Sequence, residues 1–93
     1  MLIILENEKT QRLYKKSLIG KTTKWFYTIE DEDFFDEMEE KYNCTFDFTG
    51  GYDFIKYTIY EIEDESLFPI ILDEIFNFLK DPELYNNSKK YNI

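Results

Sequence analysis

The stretch from Cys44 to Tyr60 constrains the fold more than any other part of this sequence. Two adjacent glycines, Gly50 and Gly51, interrupt two runs in which apolar and polar residues alternate. A period of two marks strands with one buried face. A Gly-Gly pair also meets the positive-φ demand of a primed two-residue turn. A hairpin centred there sets Thr49 opposite Tyr52, Asp47 opposite Phe54 and Thr45 opposite Lys56. On the other face it pairs Phe48 with Asp53, Phe46 with Ile55 and Cys44 with Tyr57. Cys44, Phe46, Phe48, Ile55, Tyr57 and Ile59 then form the inward face, and Tyr52, Phe54 and Tyr60 point outward among Thr45, Asp47, Thr49 and Lys56. The register decides which face packs.

Leu2 to Leu5 reads as a short buried strand, with Asn7 opening the following turn. Residues 9–19 fit two patterns. Leu13, Tyr14, Ser17 and Leu18 mark a helical face opposite Lys9, Arg12, Lys15 and Lys16, and a strand is the alternative, with Gly20 closing either one. Thr22 to Ile29 alternates Trp25, Tyr27 and Ile29 with Lys24, Phe26 and Thr28, a strand pattern. Phe34, Phe35, Met38 and Tyr42 recur at helical spacing, so Asp33 to Tyr42 reads as an amphipathic helix, with Asp31 or Glu32 near its cap. After Glu65, a helix with Ser66 as N-cap and Pro69 in its first turn carries Phe68, Ile71, Leu72, Ile75 and Leu79 as its core stripe, and it reads as the longest in the chain. Asp81-Pro82 stops it. The expected architecture is α+β: a small, mostly antiparallel sheet of about three to four strands, containing the Gly-Gly hairpin and covered by two or three helices. Residues 1–85 form a single acidic domain in this reading, and 86–93 a frayed tail.

A 93-residue chain is short and buries only about 60–65% of the surface its unfolded form exposes, so bulky residues matter. Eight Tyr and nine Phe supply that bulk and argue against disorder. The net charge is −9, distributed as +4 over residues 1–29, −12 over 30–65 and −1 over 66–93. Such a dipolar layout argues against ordinary nucleic-acid binding, which needs a basic face to neutralise phosphates, and it suits a basic protein partner. A single cysteine cannot form an intrachain disulfide. The first residues lack a basic signal region, and no run of about 20 apolar residues spans a membrane. A cytoplasmic protein is expected.

Chemistry finds few groups to work with. Histidine is absent, and with it the commonest general base and metal ligand. Cys44 points inward and reads as a buried apolar residue. Glu39-Glu40-Lys41 has the Glu-x-Lys spacing of some metal-dependent nucleases, but on a helix face. The acidic run at Asp31 lacks the glycine and closing glutamate of a calcium loop. No enzyme and no cofactor are implied.

Instead the acids are crowded. Glu30, Asp31, Glu32, Asp33, Asp36, Glu37, Glu39 and Glu40 fall in eleven residues, and Glu37–Lys41 is the only attractive i,i+4 pair on this helix. Glu61, Glu63, Asp64 and Glu65 form a second cluster. One account makes these acids a solubilising surface for an aromatic-rich chain. The other makes them a phosphate-like array, with Tyr and Phe as stacking surfaces, aimed at the basic groove of a nucleic-acid-handling enzyme. In length, composition and lack of catalytic groups the chain is similar in general character to phage-encoded anti-defence proteins of the anti-CRISPR or anti-restriction kind, without a motif of any one family. The expected partner-binding residues are Asp31, Glu32, Asp33, Asp36, Glu37, Glu40, Glu61, Glu63, Asp64, Tyr52 and Phe54. Alternatives are an immunity protein or antitoxin against a basic nuclease, and a non-catalytic adaptor. The adaptor would form a homodimer through outward Tyr52, Phe54, Tyr60, Leu67, Ile70 and Phe78.

Overall fold

The computed structural model describes residues 1–18, 29–82 and 85. Within them the chain runs through β1 (Leu2–Asn7), β2 (Leu13–Ser17), α1 (Ile29–Tyr42), β3 (Cys44–Gly50), β4 (Phe54–Ile62) and α2 (Phe68–Lys80). The fold is α+β, with the strands in one sheet ordered β2-β1-β4-β3. Both outer pairings are antiparallel, and the central pairing of β1 with β4 is parallel. Nothing in the alternation pattern had distinguished that central seam.

One face of the sheet holds the core. Leu5 pairs with Tyr14 on one side and with Tyr57 on the other, so all three project together. Phe68 of α2 stacks on Tyr14 with ring centroids 5.4 Å apart, and Phe35 of α1 stacks on Tyr57 at 5.0 Å. Both helices therefore lie on this face, α2 over β1–β2 and α1 over β3–β4. They meet through Phe34 and Phe78, stacked at 4.1 Å, with Tyr85 edge-on to both.

Residues 13–17 settle as a strand, because β1 finds in them an antiparallel neighbour with Ile3 beside Lys16 and Leu5 beside Tyr14. Buried Asn7 does more than open the turn. Its Oδ1 accepts from Lys9 N–H at 3.0 Å and its Nδ2 donates to Glu65 Oε1 at 3.1 Å, tying the β1–β2 turn to the entry of α2.

The hairpin exists, but its tip moves. Gly51 N–H donates to the Phe54 carbonyl at 2.9 Å, so Tyr52 and Asp53 form the tip, and Thr49 pairs with Lys56 instead of Tyr52. This slip of four residues along β4 is even, so Phe46 to Thr49 keep their expected face. Phe48 nevertheless stays exposed instead of buried, and a bulge between Cys44 and Phe46 sets Cys44 beside Ile62 and not Tyr57. Core packing decides it: Phe48 now sits beside Tyr57 and Phe46 beside Ile59, where the two-glycine turn would have set Phe48 beside Asp53. Gly51 is needed for space, since a Cβ there would overlap the Phe54 ring.

The helices also differ in detail. α1 begins at Ile29, placing Asp31 and Glu32 in its first turn and not at its cap. Asn43, with φ 51°, takes the left-handed conformation that ends the helix. The 3-10 turn over Glu65–Leu67 is capped by Asp64, not Ser66: Asp64 accepts from Ser66 N–H at 3.0 Å and from its hydroxyl at 2.7 Å. α2 then starts with Pro in its first turn and has 13 residues, one fewer than α1. Its expected stripe is buried, and Phe78 belongs to it instead of pointing outward. The expected strand from Thr22, the closing Gly20 and the tail 86–93 lie outside the described residues, except Ile29.

Candidate acidic interaction face

α1 has two sides. At about 100° per residue, Phe34, Phe35, Met38 and Tyr42 occupy one arc and are buried. Glu32, Asp33, Asp36, Glu37 and Glu40 share an arc of about 140° on the other side, and all five are exposed. They span eight residue steps, about 12 Å of axis, or about 3 Å per charge. Glu32, Asp33, Asp36 and Glu40 have no side-chain hydrogen bond or ion pair among the described residues. Lys41 turns off this row, and its Nζ donates to Glu74 Oε1 on α2 at 2.9 Å. Lys56 pairs with Glu6 at 2.6 Å, Lys16 with Asp73 and Arg12 with Glu65, so these cations also serve acids outside the row.

Asp31 leaves the predicted group. It is half-buried on the core side of α1, where its charge adds to burial in raising the pKa of the Tyr57 phenol. Glu39 is half-buried and structural. Its Oε2 accepts from Phe46 N–H at 3.0 Å, covering a donor on the outer edge of β3, where Phe48 N–H is covered by Asp47 at 3.0 Å. Edge donors masked by carboxylates do not recruit another strand.

The second cluster is dispersed. Glu61 is exposed, Glu63 accepts from Asn43 Nδ2 at 3.1 Å beyond the end of α1, and Asp64 is spent on Ser66, whose hydrogen bonds lower its pKa. Tyr52, 97% exposed, stands at the hairpin tip. Phe54 is half-buried over Gly51 and offers little ring to a partner. β4 runs nine residues from Phe54 to Ile62, so Tyr52 and Glu63 lie at opposite ends of a strand about 30 Å long. The expected site is thus one continuous row on α1, with Glu61 and Glu63 near its C-terminal end, and not a single patch.

Between α1 and α2 lies a cavity of about 280 Å³ lined by Phe34, Glu37, Met38, Lys41, Glu74 and Tyr85. Glu74 Oε1 accepts from both Lys41 and the Tyr42 hydroxyl. That hydrogen bond raises the pKa of Lys41, while burial first and Glu74 second raise that of Tyr42. Composition gave no sign of this cavity, since it forms only where α2 crosses the flank of α1. Among the described residues no group of three or more His, Cys, Asp or Glu side chains is placed to hold a metal ion. No helix there is long and apolar enough to cross a membrane. No protein-family model, no curated protein and no solved structure matches the chain.

Proposed function

We propose that the protein is a small acidic inhibitor that fills the basic groove of a nucleic-acid-binding enzyme with the carboxylate row of α1, excluding the nucleic acid. Charge spacing carries this reading. The row presents about one charge per 3 Å of helix axis, and one strand of duplex DNA presents about one phosphate per 3.4 Å. Its members repel one another at i,i+3 and i,i+4, and Glu32, Asp33, Asp36 and Glu40 have no ion pair among the described residues. A helix shaped for stability would intersperse cations. An acidic face of this kind repels phosphates, so the ligand is the enzyme and not its nucleic acid. Such an inhibitor acts in the cytoplasm, beside its target.

The test is capture of the target from lysate of the source cell at low salt, followed by challenge with duplex DNA and with structured RNA. A captured nucleic-acid-binding protein should be released by one of these competitors and by moderate salt, because charge-driven binding weakens steeply as salt rises. Reversal of Asp33, Asp36 and Glu40 to Lys should abolish capture while the circular dichroism spectrum is unchanged. Capture that survives this reversal, or that resists both nucleic acid and high salt, would overturn the proposal.

A further inference from the structure

The cavity beside the acidic row is built differently from the row itself. Phe34, Glu37, Met38 and Lys41 follow one another at i, i+3, i+4 and i+7 along one flank of α1, and Glu74 and Tyr85 close the opposite side. Phe34 and Met38 are buried and make an apolar floor. Tyr85 stands edge-on to Phe34 at 5.3 Å and forms an aromatic wall. The hydrogen bonds and ion pair of Glu74 all go to Oε1, so Oε2 takes no donor among the described residues. Among the described residues the lining holds two carboxylates and one ammonium, a formal −1, with Lys41 already held on the Oε1 side of Glu74.

At about 280 Å³ the space is smaller than most small-molecule sites, which start near ~300 Å³, so it suits a side chain of a larger partner. The negative lining and open carboxylate oxygen call for a cation. The aromatic wall and apolar floor favour a planar, weakly hydrated guanidinium over a strongly hydrated ammonium. We infer that this cavity anchors an arginine side chain of the basic partner, its guanidinium held by Glu74 Oε2 in the field of Glu37 and lying against Phe34 and Tyr85. The inference rests on the reading of α1 as the docking helix, and gives that interface a buried anchor next to a row of exposed charges.

Hexa-arginine and hexa-lysine peptides, titrated into the full chain by calorimetry and NMR at one ionic strength, separate the two ideas. Hexa-arginine should bind about tenfold more tightly and shift the resonances of Phe34, Met38, Glu74 and Tyr85. The Glu37→Gln/Glu74→Gln variant, which keeps an acceptor for Tyr42, should lose that preference. So should Tyr85→Leu, which keeps apolar packing but removes the wall. Asp33→Asn/Asp36→Asn should weaken both peptides alike. Equal affinity for the two peptides, with shifts confined to Asp33, Asp36 and Glu40, would overturn the arginine anchor and leave the acidic face standing. Absence of binding by either peptide would overturn both.

Discussion

Cys44 opens β3 with its side chain turned into the core, as the alternation of that strand requires, and its thiol is nearly closed to solvent. Burial first, and the nearby charge of Glu39 second, push its pKa up to about 11. A group whose pKa rises on folding stabilises the protein fully below its ordinary pKa and loses that contribution as pH climbs towards the folded value. The melting temperature should therefore fall as pH is raised from 9 to 11, and more gently in Cys44→Ala. Burial also raises the pKa of the Tyr57 phenol, so a further loss that this substitution leaves untouched is expected above pH ~10. A pH profile identical in the two proteins would show that the thiol is not coupled to folding. Glu39 was harder to read. On a helical wheel it is one more acid, and its bond to Phe46 N–H exists only because α1 lies along β3.

Elements were legible where one periodicity dominated. The apolar spacing of α1 and the stripe of α2 needed no tertiary information, apart from Phe78, which is drawn inward by its stack on Phe34. Ile29 fits a strand alternation and a helix start equally well, and it opens α1. Residues 13–17 satisfy both periods, and only pairing with β1 decides between them. The hairpin tip was misplaced because turn preference is worth less than setting Phe46 and Phe48 beside Ile59 and Tyr57. In the candidate site the exposed row on α1 was legible, but the loss of Asp31 to the core side and of Asp64 to capping was not. The row itself makes a prediction about α1. Asp36→Lys converts repulsions with Glu32, Asp33, Glu39 and Glu40 into attractions, which should raise the unfolding free energy by about 1 kcal/mol while weakening target binding. Urea titration measures the first effect, and an unchanged midpoint would mean that the row is not under electrostatic strain.

The whole molecule carries −9 with its acids concentrated between residues 30 and 65, so self-repulsion opposes folding. Raising NaCl from ~0.01 M to ~0.3 M shortens the screening length from about 30 Å to under 10 Å, and the melting temperature should rise by a few degrees. A fall would show that pairs such as Lys56–Glu6 outweigh the repulsion. The order of the sheet has a different kind of consequence. β2 is next to β1 in the chain and β3 next to β4, but the central seam joins Leu2–Asn7 to Phe54–Ile59, with Leu2 and Phe54 52 residues apart. During synthesis at about 5–20 residues per second, β1 leaves the ribosome some 3–10 s before its central partner. For that interval Ile3 and Leu5, fully buried in the finished sheet, have no β4 to lie beside. The nascent chain must hold a sticky strand in waiting, and the longer that wait, the more chance the strand has of pairing with another chain.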